Sequence, residues 1–298
     1  MKTIKNIAIL IGLVIFVAAC SSDDEMEMTE GNLVLNINGL EDLGSDYIYE
    51  GWMIVNGSAI TTGTFTVDGN GNLSKTSFTL DKDQVANAST FVLTIEPNPD
   101  PDPAPSSVHI VAGDVSAGLA NLTIAHGAAL GNDFSSATGS YILATPTDGA
   151  GNNEKSGVWF LDPSGANPVA GLNLPTLPAG WEYEGWAVIG GTPVTTGKFT
   201  SLSGADDAAP YSGASAGPPF PGEDFLMNAP AGLTFPTDLS SAKIVISIEP
   251  MPDNSPNPFL LKPLLADVPA NALDHTLYTM NNIAASNSPT GTARFSIK

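Results

Sequence analysis

The strongest constraint on this fold is an internal repeat, because one architecture must be built twice. Three segments recur: Tyr-Glu-Gly-Trp at residues 49–52 and 183–186, Thr-Thr-Gly at 61–63 and 195–197, and Ile-Glu-Pro at 95–97 and 248–250. The first two pairs are 134 residues apart and the third is 153 apart, so the second copy holds 19 additional residues. Residues 204–222 are rich in Gly, Ala, Pro and Ser, which predicts that the insertion there is a surface loop.

Apolar residues alternate with polar ones in both copies, as at Phe91, Leu93 and Ile95. A period of two is typical of half-buried strands, and only short helices are predicted, at 80–88 and 237–242. We therefore expect an all-β fold of two tandem antiparallel β-sandwich domains of Ig-like type. Copy one is residues 31–147 and copy two is residues 148–298. The turn-like linker at 148–153 predicts that the domains pack closely or share an edge.

The N-terminus has the features of a secretory signal. Lys2 and Lys5 precede an apolar run at residues 7–19, which is shorter than the roughly 20 residues needed to span a bilayer. The run ends at Cys20, the only cysteine, in a Val-Ala-Ala-Cys segment that resembles the lipobox of bacterial lipoproteins. We therefore predict a signal peptide at 1–19 and attachment to outer-membrane lipid through Cys20.

Residues 20–30 form an acidic tether after the predicted cleavage site. A solvated linker explains this composition. However, Ser22, Asp23, Asp24 and Glu25 also resemble the export signal that sends some Gram-negative lipoproteins to the outer face of the outer membrane. A cell-surface location is therefore favoured, with the periplasmic face as the alternative.

The charge of the chain excludes some partners. Ten Lys and Arg stand against 31 Asp and Glu, a formal net charge of −21. Nucleic-acid binding needs clustered cations that release phosphate counterions, and this chain lacks them. Nucleic acid is therefore not an expected partner.

The repeated motifs resemble the extracytoplasmic C-terminal domain of the anti-sigma-K factor family. In that family a strand with Tyr and Trp, a Gly-Phe hairpin and a strand ending in Glu-Pro occur in the same order. The resemblance implies a β-sandwich module. It does not imply anti-sigma activity, because the cytoplasmic sigma-binding region and the transmembrane helix of that family have no counterpart here.

Catalytic and metal motifs are weak. Ser215 lies in a Gly-x-Ser-x-Gly segment within the inserted loop, where a nucleophile elbow would need a preceding strand and a following helix. The three histidines, His109, His126 and His275, are too scattered for a usual metal triad. No enzymatic activity and no cofactor are predicted.

Calcium is the one ion that the acidic loops suggest. Asp68 begins an Asp-Gly-Asn-Gly-Asn turn that lacks the required Gly and distal Glu of a calcium loop. Asp206, Asp207, Glu223 and Asp224 could also supply oxygens. For Asp68, a plain turn is favoured over a calcium loop. For the other four residues, a solvated loop explains the sequence as well as a calcium site does.

Polar and aromatic residues repeated in both copies are the candidate binding residues: Glu50, Trp52, Glu96, Glu184, Trp186 and Glu249. On a strand, Glu50 and Trp52 share one face, as a carboxylate-aromatic sugar site would require. Alternatively, the Trp is core and each Glu accepts hydrogen bonds from nearby backbone or hydroxyl groups, so that these residues specify the fold.

The sequence thus predicts a non-enzymatic, lipid-anchored envelope protein that binds a polysaccharide or an envelope protein. The alternative is a periplasmic sensor or regulatory lipoprotein of anti-sigma type that acts through a membrane partner.

Overall fold

The computed structural model describes residues 30–149, 151–253 and 255–298. The predicted signal peptide, the lipidated Cys20 and the acidic signal at 22–25 lie outside the described residues. Within the described part of the chain, no helix has the length and apolar character needed to cross a membrane.

The predicted all-β class is confirmed, with 43% of the residues in strands and 3% in helices. The elements of copy one are β1 Glu30–Asn38, β2 Tyr47–Val55, β3 Ser58–Phe65, β4 Ser77–Asp81, α1 Lys82–Ala86, β5 Ala88–Pro97, β6 His109–Ser116, β7 Leu119–Thr123 and β8 Thr138–Leu143. In β1, Leu33, Leu35 and Ile37 are buried while the residues after them are exposed, as the alternation predicts.

Copy two contains four long strands and several strands of two to four residues. Its elements are β9 Gly157–Trp159, β10 Leu161–Asp162, β11 Val169–Ala170, β12 Leu172–Asn173, β13 Trp181–Ile189, β14 Thr192–Phe199, β15 Gly222–Asp224, β16 Lys243–Pro250, β17 Leu264–Asp267, β18 Tyr278–Thr279, β19 Asn281–Asn282, α2 Ala284–Asn287 and β20 Thr290–Ile297. The helix predicted at 80–88 is present as α1. Residues 237–242 form no helix, with only a turn at 240–241, and that prediction is wrong.

The two copies share one strand order. Copy one contributes to an eight-stranded antiparallel sheet ordered β3-β2-β5-β6-β7-β20-β1-β4. The strands of copy two follow the same order in two pieces, β14-β13-β16-β17-β19 and β12-β8-β9-β15, with β18 paired to β8. The internal repeat in the sequence is therefore a repeat of topology.

The last strand of each copy lies in the sheet of the other. β20 pairs with β1 and β7 of copy one, with Phe295 opposite Leu33. β8 pairs with β9, β12 and β18 of copy two, with Ile142 opposite Trp159. The sheets are thus not divided at residues 147 and 148, and a single hydrophobic cluster contains buried residues of both copies.

The repeated Thr-Thr-Gly segment forms a β-bulge. The register between β2 and β3 shifts after Gly51, which leaves Thr62 as the extra residue, and Gly63 has a φ of 107°. The same shift follows Gly185 in copy two. A Cβ on Gly51 would lie 2.4 Å from the Thr62 hydroxyl, so the glycine of the Tyr-Glu-Gly-Trp motif is required by the bulge.

Candidate functional site

A hydrogen-bonded relay joins the repeated Trp and Glu residues of copy one. The indole Nε1 of Trp52 on β2 donates to Thr94 Oγ1 on β5 at 2.9 Å. The Thr94 hydroxyl donates in turn to a carboxylate oxygen of Glu96. Glu96 also accepts from the backbone N–H of Ser106, at 2.9 and 3.1 Å for its two oxygens. Glu96 is thus a buried acceptor whose partners all come from the protein.

Copy two repeats this relay with one substitution. Trp186 Nε1 donates to Ser247 Oγ at 2.8 Å, and the Ser247 hydroxyl donates to Glu249. The backbone N–H of Phe259 donates to both Glu249 oxygens, at 2.9 and 3.2 Å. Both Trp rings are buried, so neither offers an open face for stacking. This geometry favours the fold-specifying interpretation for Trp52, Glu96, Trp186 and Glu249.

Glu50 differs because it is half-buried and lines an open pocket. The pocket has a volume of about 350 Å³, and its lining consists of Glu50, Trp52, Thr61 and residues 100–103. The Thr61 hydroxyl donates to Glu50. Burial raises the pKa of Glu50, and the negative charges of Glu96 and Asp100 raise it further. Copy one therefore presents several hydrogen-bond acceptors around a solvent-accessible space.

Glu184, the counterpart of Glu50, is buried with a relative exposure of 3%. Its Oε1 accepts from the Thr195 hydroxyl, while its Oε2 has no hydrogen-bond partner. Oxygens of Glu184, Glu249 and Asp253 lie within 4.8 Å of one another. Burial raises the pKa of Glu184 to about 8, and the charge of Glu249 contributes to the shift. We call these three residues the copy-two acidic cluster.

Lys198 is one difference between the two copies at this site. On β14 it lies opposite Glu184, where copy one has Thr64 opposite Glu50. Its Nζ is 3.1 Å from Asp253 Oδ2 and also donates to the Asp253 carbonyl oxygen at 3.1 Å. Thr64 cannot make these contacts, and the space beside Glu50 stays open.

Three of these residues were missed by the sequence predictions. Asp100 and Asp253 each lie three residues after the proline of Ile-Glu-Pro and share the 153-residue offset, so the repeat itself could have identified them. Lys198 carried no such signal, because its counterpart is Thr64 and only the structure brings its ammonium to Asp253.

The serine and histidine candidates lie apart from this site, whereas the inserted loop borders it through Asp207. Ser215 donates its backbone N–H to Thr147 at 3.1 Å, and residues 213–217 form neither strand nor helix, unlike a nucleophile elbow. The inserted loop at 204–222 lines a second pocket of about 350 Å³ beside Trp159. Each histidine has a different partner: His109 contacts the Ala128 carbonyl, His126 contacts Asp114, and His275 contacts Glu154.

The acidic loop residues are engaged by protein groups. Asp68 Oδ1 accepts from the backbone N–H groups of Asn70 and Asn72, both at 2.9 Å, which makes a local turn. Asp206 accepts from the Gly222 N–H, and the Lys198 N–H donates to Asp207. Glu223 and Asp224 are fully buried in β15. Ser212 donates a hydrogen bond to Glu223. Asp224 accepts hydrogen bonds from Thr147 and Trp159.

No family model, no curated protein and no solved structure matches this chain.

Proposed function

We propose that this protein is a non-enzymatic, lipid-anchored lipoprotein of the cell envelope that binds a ligand in the copy-one pocket beside Glu50. The observation that carries the proposal is the difference between the copies. Copy two places the Lys198 ammonium against Asp253, whereas copy one leaves the equivalent space open between Glu50 and Asp100.

The lining of this pocket indicates the kind of ligand. Its volume of about 350 Å³ lies at the lower end of the range of roughly 300–1,000 Å³ found for ligand pockets. Glu50, Asp100 and Asp102 contribute carboxylates, which accept hydrogen bonds. A ligand with several hydroxyl donors fits this lining, so a polysaccharide is the favoured partner. Trp52 also lines the pocket, and its side chain is only 3% exposed.

The proposed location rests on the sequence. Cys20 would carry the lipid anchor, and the segment from Ser22 to Glu25 would direct the protein to the cell surface. A surface protein with an acceptor-rich pocket suits the capture of extracellular glycans. The resemblance to anti-sigma modules supports a second candidate, a periplasmic sensor that acts through a membrane partner, but no observation in the described residues favours it over the first.

A charge placed at residue 64 tests the pocket directly. Full-length protein in detergent would be screened for polysaccharide binding on an array, and hits would be measured by calorimetry. Thr64→Lys should place an ammonium beside Asp100, as Lys198 is placed beside Asp253, and should weaken binding at least tenfold. Ser58→Lys, at the exposed far end of β3, adds the same charge as a matched control and should bind normally. Equal binding by wild type and Thr64→Lys would rule out the pocket.

A further inference from the structure

The copy-two acidic cluster has more negative charge than its surroundings neutralise. Glu184 and Glu249 are buried, and the side chain of Asp253 is 5% exposed. Two ammonium groups lie near the cluster: Lys198 contacts Asp253 and also Glu182, while Lys262 interacts electrostatically with Glu249 and also with Glu41. With Glu41 and Glu182 included, five carboxylates and two ammonium groups leave a formal charge of about −3 if all are ionised, and buried charge that is not neutralised is strongly unfavourable.

The unpartnered oxygen of Glu184 points to a missing ligand. Buried polar atoms almost always have a hydrogen-bond partner. The Thr195 hydroxyl donates a hydrogen bond to Oε1 of Glu184. Oε2 has no hydrogen-bond partner, although Glu184 is only 3% exposed. Glu249 lies beside it with both oxygens held in place by the Phe259 N–H. The cluster therefore combines a carboxylate held through both oxygens with one that has a single unpartnered oxygen.

The spacing of the oxygens allows all three carboxylates to bind one divalent ion. Calcium binds oxygen at about 2.3–2.6 Å, so two ligands on opposite sides of the ion are separated by about 4.6–5.2 Å. The oxygens of Glu184, Glu249 and Asp253 lie within 4.8 Å of one another. Magnesium usually keeps several waters and is bound through only one or two carboxylates, so a group of three carboxylates favours calcium.

We propose that the copy-two acidic cluster is a calcium site, with Glu184, Glu249 and Asp253 as its protein ligands. A divalent ion would neutralise the remaining charge and give Glu184 Oε2 a partner, while Lys198 stays on Asp253. The site is separate from the pocket beside Glu50 and does not depend on polysaccharide binding.

Calorimetry on full-length protein stripped with EDTA tests the site. Titration with CaCl₂ should reveal one site per chain, distinct from the weak, diffuse binding expected of an acidic protein. Calcium at 100 times its Kd should raise the Tm by about 5 °C or more. Glu184→Gln and Asp253→Asn should each weaken the site at least tenfold and remove most of the rise in Tm.

Glu50→Gln is the matched control, because it makes the same change at the equivalent position of copy one and should leave calcium binding intact. Thr64→Lys should also leave it intact, so failure of the polysaccharide proposal would not affect this one. If Glu184→Gln does not fold, Asp253→Asn decides the question. Absence of a defined site in the wild type, or a site that survives both cluster variants, would overturn the proposal.

Discussion

The Trp186 indole donates to the Ser247 hydroxyl at 2.8 Å, and in copy one the Trp52 indole donates to Thr94 at 2.9 Å. A hydroxyl is required at this position because it accepts from the indole while donating to the glutamate two residues along the strand. Serine and threonine both satisfy that requirement, which explains why the sequence differs here while the geometry does not.

Removal of this hydroxyl should destabilise the fold. Ser247→Ala leaves the Trp186 N–H and a Glu249 oxygen short of a partner in a buried site, which costs about 1–3 kcal/mol. Ser247→Thr installs the residue of copy one and should cost less than about 1 kcal/mol. Urea denaturation of both variants checks this, and an equal loss in the two would show that packing rather than the hydroxyl matters.

Stability in the presence of EDTA should fall as the pH rises from about 5 to 8. The unfolded chain releases the Glu184 proton near its ordinary pKa of 4.5, while burial raises the pKa in the folded protein to about 8. The folded state thus binds more protons in this window, and its advantage is lost as the pH rises through the folded pKa. Thermal unfolding of Glu184→Gln should show a shallower fall. An unchanged slope would contradict the assignment to this group.

Damage to the last strand should loosen copy one rather than copy two. Phe295 on β20 is buried, and its ring packs edge-on against Phe91 of β5, with centroids 6.4 Å apart. Phe295→Ala should cost about 3–5 kcal/mol. Hydrogen exchange followed by mass spectrometry should accelerate in β1 and β7 before β13 and β14. Tyr141→Ala on β8 is the reciprocal variant and should first loosen β9 and β18.

Loss of the lipid attachment site should release the protein from the membrane. Cys20→Ala removes the thiol that would carry the acyl chains, and stable anchoring needs more than one chain or signal. Fractionation should then find the chain in the soluble envelope fraction. Membrane retention of Cys20→Ala at wild-type levels would exclude lipid anchoring through this residue.

The acidic segment should control which face of the membrane carries the protein. Protease treatment of intact cells should digest the wild-type chain, while a periplasmic marker stays protected until lysis. Replacement of Asp23 and Asp24 by Ala should restore protection if these residues direct export. Protection of the wild-type chain on intact cells would instead favour the periplasmic sensor.

Much of the site was accessible from the sequence because the duplication marks it twice. Because residues two apart on a strand share a face, the sequence predicted that Glu50 lies beside Trp52 and Glu184 beside Trp186. The repeated Ile-Glu-Pro segment identified Glu96 and Glu249. Burial separated these residues into different roles, since Glu50 faces a pocket while its counterpart Glu184 is enclosed. Beside Glu184, Lys198 on β14 contacts Asp253, which lies in a loop far away in sequence.

The sequence by itself determined the all-β class and the duplication, because alternation and repeated motifs are local properties. Tertiary structure alone decided where the closing strands pair. The two strands carry the same Thr-Gly start, at Thr138 and Thr290, so either could complete either sheet. The short connection at 144–156 pairs β8 directly with β9, as Leu143 opposite Val158 shows. This local hairpin holds β8 in the sheet of copy two, and β20 fills the place that β8 leaves between β7 and β1 of copy one.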